Sequence, residues 1–554
     1  MQTARRLYVY LISGIGMGVL VAGLTMLLSV LFDRLGLAGS VLGGEGDVIG
    51  QQLTLASALI VVGLPVWLIH WLAAERSVRP DRPDAALERT SDVRGLYFAL
   101  AMGILLLVAA AGVSGVIQAV ADELLDESQF SSSSIGDGLA LALAAGAAWA
   151  YHLAIRTRDW ARGPMTGGGA WLPRTYLYVA MFVGLVTLLT GITDLIDVLG
   201  RMTLEAEPEF VDPSASTWWA YPLTSALTGI VVGGGVWLGH AWYAGRLIRD
   251  PGWRGESERP ARLRMAYFVA VIIATAAGTL YQLGEGIGAA IGAAVGAGTA
   301  ESSVPAIVLP LLAAIPLAVA WWLHLDSMRR EALTSGDEGR IDTEVRLELY
   351  PVALVGLGFA AVGAAWLIGS LVDVLFGGGR VLSGGDFASD QVARYAPFAV
   401  LGVILWIWAW GRVAARVAID PSGEAASTTR RATLLTVLAV SVIAGVVAAA
   451  MILYRLFGGL FGVALGGDPV SELSIPIGIL LVASLVAAYH ATQLRRDQAL
   501  RAAAAPPEPA SEPVTRSVEL RLSGPADGDL AAVVAGLQAQ LPPGFALEGA
   551  PPSC

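Results

Sequence analysis

Five histidines are the side chains best suited to ligand chemistry, and the chain spaces them evenly. His70, His152, His240, His324 and His490 are the only histidines, separated by 82, 88 and 84 residues and then by a double step in which Trp410 takes the vacant place. Imidazole ligates haem iron and zinc, so five rings at a common depth would make a candidate cofactor-binding set. The same positions lie within about two helical turns of arginines, where Trp, Tyr and His form the interfacial belt of membrane spans. A cationic ring at a helix C-terminus is also favoured by the helix dipole. Trp410 in the series suits a belt better than a ligand set. The belt is the expectation, and the cofactor reading is kept beside it.

A second set is acidic. Asp194 and Glu285 are candidates for an ion or proton site, within a series that includes Asp33, Asp122, Asp197 and Asp373. Each of the two lies 18 residues beyond a tyrosine that opens its segment, Tyr176 or Tyr267. That is about 27 Å along a helix, inside a hydrocarbon layer of roughly 30 Å, where ionisable groups are functional candidates by default. The plainer reading is that these acids end a span at the outer interface.

No catalytic constellation accompanies them. The single cysteine, Cys554, offers neither a disulfide framework nor a metal site. Walker, dinucleotide-binding and zinc-protease patterns are absent, and no Ser/His/Asp arrangement can be assembled. The chain is read as non-enzymatic, with no catalytic residue, no metal ligands and no cofactor. Arginines intermixed with acids give no support to nucleic-acid binding.

The elements that must position these residues follow from composition. The 554 residues are 55% hydrophobic and only 15% charged, with a mean hydropathy of +0.65, against about a quarter charged in soluble proteins. The bilayer is the implied solvent and partner. Apolar runs of span length fall near 7–31, 53–73, 97–121, 139–155, 175–198, 219–243, 265–284, 304–325, 350–372, 396–414, 432–454 and 475–492. The first is too long for a signal-peptide core and recurs internally, so it reads as a span.

The spans repeat in pairs. Six residues beyond each histidine, or Trp410, stands Arg76, Arg158, Arg246, Arg330, Arg416 or Arg496, and Trp67, Trp149, Trp237 and Trp321 stand three residues before four of them. Each pair opens on arginine: Arg6 before Tyr8, Arg94 before Tyr97, Arg174 before Tyr176, Arg264 before Tyr267, Arg346 before Tyr350, and Arg430-Arg431 without a tyrosine. The expected organisation is six helical hairpins over 1–84, 85–168, 169–256, 257–338, 339–424 and 425–500, then a Pro/Ala linker over 501–514 and a small cytoplasmic α+β tail over 515–554. In the tail, Val518–Leu522 and Phe545–Leu547 read as strands and Asp529 as the cap of a helix. The fold class is all-α polytopic membrane protein, with twelve transmembrane helices as six tandem hairpin repeats.

All 35 basic residues are arginine, and only Arg34, Arg201, Arg380, Arg394 and Arg455 lie within hairpin connections. The positive-inside rule then puts both termini in the cytoplasm, in a bacterial inner membrane. The outward connections are acidic, with Asp122, Glu123, Asp126 and Glu127 in one and Glu205, Glu207, Glu209 and Asp212 in another. Small-residue ridges at Gly14/Gly18, Gly284 to Gly296 and Gly458 to Gly466 read as helix-packing surfaces.

The repeated opening, RRLYVYL in its first copy, followed by a Gly-rich span and an outward hairpin, resembles a bacterial membrane domain of unknown function that occurs in tandem copies of two spans each. The resemblance covers 1–500 and implies no reaction, ligand or catalytic residue. Three functional classes follow: a non-enzymatic scaffold or sensor whose 515–554 tail meets a protein partner; a passive channel or transporter for an uncharged or lipid-like solute; and, least supported, a haem-binding redox protein. Self-association into a homo-oligomer is compatible with each.

Overall fold

The computed structural model describes residues 2–37, 46–125, 134–204, 218–295, 304–335, 338–376, 387–461, 469–504, 523–525 and 527–542. It forms two compact units, Met1–Leu500 and Arg501–Cys554. In the first, the helices are α1 (Gln2–Arg34), α2 (Gly46–Ser77), α3 (Ala85–Arg89), α4 (Asp92–Leu125), α5 (Ile135–Ala161), α6 (Gly167–Thr203), α7 (Ala220–Ile248) and α8 (Trp253–Glu258). They continue with α9 (Arg262–Val295), α10 (Val304–Ser335), α11 (Glu338–Phe376), α12 (Phe387–Ile419), α13 (Pro421–Ala426), α14 (Thr428–Leu460) and α15 (Pro469–Ala504). Among the described residues, twelve helices are long and apolar enough to cross a membrane, making this a multi-pass membrane protein.

The twelve long helices match the twelve apolar runs, and most extend past them by a turn or more. The shortest expected span, 139–155, is the middle of α5, which starts at a capping box in which Ser134 and Asp137 bond reciprocally. Backbone hydrogen bonding carries the helix beyond the hydrocarbon, so hydropathy underestimates its length. The short helices α3, α8 and α13 lie inside arginine-rich connections, where the sequence shows no span.

Packing follows chain order. Each of the first five hairpins is closed by its own two long helices, and substantial contacts outside the hairpins join each hairpin to the one before or after it. Hairpins thus pack against their neighbours in chain order, as the units of a repeat array do.

Glycine sets the spacing in the odd-numbered hairpins. A Cβ at Gly16 would lie 2.6 Å from the Trp67 nitrogen, at Gly184 2.8 Å from that of Trp237, and at Gly356 2.6 Å from that of Trp406. Without side chains there, paired backbones approach closely enough for dispersion contacts to hold them. Gly284 and Gly288 behave as the ridge expectation requires, packing against Phe398 and Ala393 of α12. Gly14 and Gly18 do not: a Cβ at Gly14 meets only Tyr97, at 3.8 Å, and one at Gly18 meets nothing within 4 Å. Gly296, Gly462 and Gly466 lie outside the described residues.

In the second unit, α16 (Leu530–Ala539) forms where expected, with the Asp529 carboxylate accepting from the Ala532 amide at 3.1 Å. The expected strands Val518–Leu522 and Phe545–Leu547, and the outward acids Asp126, Glu127, Glu205, Glu207, Glu209 and Asp212, lie outside the described residues. α15 runs to Ala504, over the first residues of the linker expected at 501–514; the rest of that linker lies outside the described residues.

Candidate functional site

The polar residues gather at the arginine-rich ends of the helices, and the opening arginines organise them in two alternating ways. In the odd hairpins the arginine reaches the short helix that follows the hairpin. Arg6 bonds Glu88 on α3 at 3.0 Å, Arg174 bonds Glu258 on α8 at 2.7 Å, and Arg346 bonds Glu424 on α13 at 3.0 Å. Two of these glutamates also accept from a tyrosine four residues past the arginine, Tyr178 to Glu258 at 2.7 Å and Tyr350 to Glu424 at 3.1 Å. Glu258 and Glu424 are 0% and 1% exposed.

In the even hairpins the arginine instead pairs with an acid seven residues past the histidine on the second helix. Arg94 bonds Asp159 at 3.0 Å, Arg430 bonds Asp497 at 2.6 Å, and Arg264 pairs with Glu331. Arg94 is itself buried and reaches three further groups: Tyr10 at 2.8 Å, Glu75 at 2.7 Å and, across its face, the Phe98 ring at 5.0 Å. One guanidinium therefore ties α1, α2, α4 and α5 together. A buried charge is tolerable only with such a full complement of partners.

The histidines sit among these pairs. In each, Nδ1 lies 2.7 to 2.8 Å from the carbonyl four residues earlier: Val66, Ala148, Val236, Ala320 and Val486 in turn. A carbonyl only accepts, so Nδ1 carries the proton. Nε2 of His152, His240 and His324 then faces the hydroxyl of Tyr97, Tyr176 and Tyr267 at 2.9, 2.8 and 3.1 Å. Two of these tyrosines also accept from a tryptophan of the preceding hairpin, Trp149 to Tyr176 at 2.7 Å and Trp237 to Tyr267 at 3.2 Å. The phenol oxygen thus accepts from indole and donates to Nε2, which fits a neutral imidazole.

This geometry bears on both readings of the histidine series. His152, His240, His324 and His490 are buried, packed between helices and not facing lipid as belt residues do. At His152, His240 and His324 both ring nitrogens are engaged in hydrogen bonds. Trp410, in the vacant place, is buried as well and donates to Tyr489 at 2.7 Å. No group of three or more His, Cys, Asp or Glu able to hold a metal occurs among the described residues.

Asp194 and Glu285 are exposed and are not brought together with the histidines. Asp197 is paired with Arg201 one turn away, at 2.9 Å. Asp373 is buried and accepts from Ser471 at 2.6 Å. What sequence reasoning missed are the acids that complete the clamps: Glu88, Asp159, Glu258, Glu331, Glu424 and Asp497. A signal existed. Glu88, Glu258 and Glu424 stand 82, 84 and 78 residues past their arginines, near the histidine period.

The alternation doubles the repeat from one hairpin to two. The sequence comparisons give the same unit. A family model described as a domain of unknown function (DUF5671) matches residues 6–147, 174–325 and 346–513. Each match starts at an odd-hairpin arginine, Arg6, Arg174 or Arg346, and takes in four spans where two had been expected. Comparison with curated proteins and with solved structures finds no match. The chain belongs to this family of unknown function, as three tandem copies of its four-helix unit.

Proposed function

We propose that this protein is a non-enzymatic scaffold or sensor of the bacterial inner membrane, with both termini in the cytoplasm and a tail that binds a protein partner. The observation that carries the reading is α16. Leu530, Val533 and Leu537 recur at helical spacing and are 45%, 50% and 41% exposed, and the helix has no buried residue. A capped helix that leaves its apolar stripe uncovered is suited to laying that stripe in a partner's groove. The membrane unit supports the same reading. Its conspicuous polar residues are spent on one another, in clamps and relays that hold hairpins in register.

A photoreactive amino acid at position 533 tests this in cells. The expected result is a discrete protein adduct that disappears when Leu530 and Leu537 are replaced by Asp. Adducts to lipid alone, or an adduct indifferent to those substitutions, would overturn the reading.

A further inference from the structure

We propose that the cleft between the first and third helices of the four-helix unit is a ligand site, and that in the first copy it holds the acyl chain of a membrane phospholipid. The cleft has a volume of about 730 Å³ and runs between α1 and α4, within the size range of small-molecule sites. Along α1 its lining extends from Leu7 to Met26, about 28 Å of helix, close to the depth of a hydrocarbon layer.

The chemistry of the lining selects an apolar chain. Its polar side chains are Tyr10, Tyr97 and Thr25, and the two tyrosine hydroxyls are engaged by Arg94 and His152. The Thr25 hydroxyl is the one polar group of the lining outside these bonds. A docked helix, 10–12 Å across, would displace roughly 2000–3000 Å³ over the same length, several times the cleft's volume, so a hydrocarbon chain is the better fit than a helix of a second copy. Phospholipid is also the apolar molecule that surrounds any membrane span.

The same cleft recurs in the second copy with a different lining. Setting Arg6 beside Arg174 places Gly16 on Gly184 and Gly23 on Gly191, which make the same close approaches to the paired helix. In that register Gly14 and Gly18 correspond to Phe182 and Val186, and Ala22 to Thr190; on the third helix, setting Arg94 beside Arg264 places Leu105 on Thr275. Phe182, Val186, Thr190 and Thr275 line a cleft of about 250 Å³ between α6 and α9. Two glycines enlarge the first cleft where bulkier side chains narrow the second. Within α1, Gly14 and Gly18 are the glycines whose missing side chains no close helix contact requires.

The test uses the full chain in liposomes containing a phospholipid with a photoreactive diazirine in its acyl chain. Adducts should concentrate on α1 and α4, above the level on α14, which serves as the measure of surrounding lipid. Gly14→Phe with Gly18→Val, copying the second copy, should bring α1 and α4 down to that level with thermal unfolding unchanged. The reverse pair, Phe182→Gly with Val186→Gly, should raise adducts on α6. Adducts that ignore both pairs of substitutions, that form only with a free fatty-acid probe, or that are replaced by crosslinks between two copies at α1 would overturn the proposal.

Discussion

Arg174, two turns into α6, donates at 2.7 Å to Glu258, 84 residues further along the chain and fully buried at the end of α8. The pair reaches from the head of one hairpin to the connection that leads into the next. Arg6–Glu88 and Arg346–Glu424 repeat it in the other two copies. Burying a carboxylate costs several kcal/mol in water exchange, and the guanidinium and the Tyr178 hydroxyl offset that cost only while both hairpins hold their register.

The phenol between Trp149 and His240 should matter for stability. Tyr176→Phe removes a hydroxyl that accepts at 2.7 Å and donates at 2.8 Å, leaving the half-buried Trp149 indole and the buried His240 ring without that partner. A loss of about 1–3 kcal/mol is expected, read as a lower thermal midpoint in detergent. Tyr8→Phe, at an exposed tyrosine that meets His70 only edge-on, should stay within about 0.5 kcal/mol of the parent.

Two glycines of the same helix type should respond oppositely to alanine. Gly184→Ala drives a Cβ to 2.8 Å from the Trp237 nitrogen and should cost about 1–3 kcal/mol through overpacking. Gly18→Ala meets nothing within 4 Å and should gain up to about 1 kcal/mol from helix propensity. Thermal unfolding of the two variants side by side checks both signs.

The single cysteine makes the topology directly measurable. Cys554 should resist a membrane-impermeant maleimide in intact spheroplasts and react once the membrane is opened. With Cys554 replaced by Ser, a cysteine at Ser131, in the connection between α4 and α5, should react without opening. Labelling in the reverse order would invert the assigned orientation.

The spans and their pairing were legible because hydropathy and the His, Trp and Arg register are local, repeated signals. The four-helix unit was not, because its mark is the choice of partner. Arg94 and Arg174 look alike in the chain, yet one closes over 65 residues onto Asp159 and the other over 84 onto Glu258. Glu258 in an arginine-rich connection reads as a solvated charge until α8 buries it. Glycine spacing misled for a related reason. Gly14 and Gly18 have the four-residue step of a packing motif, whereas the backbone approach in α1 is made by Gly16 and Gly23, seven apart. The histidines were legible as a series, but whether a ring faces lipid or a tyrosine depends on the neighbouring hairpin.

The claim at the centre of this account is that the buried arginine–carboxylate pairs couple successive hairpins within each four-helix unit. A double-mutant cycle on Arg174 and Glu258, with Arg174→Met, Glu258→Gln and the combination, followed by reversible unfolding in detergent, tests it most directly. Each single change should cost about 3–5 kcal/mol by stranding the other partner, and the double change should cost no more than the larger single one. Single losses below about 0.5 kcal/mol, the size of an unremarkable surface substitution, or losses that simply add, would contradict it.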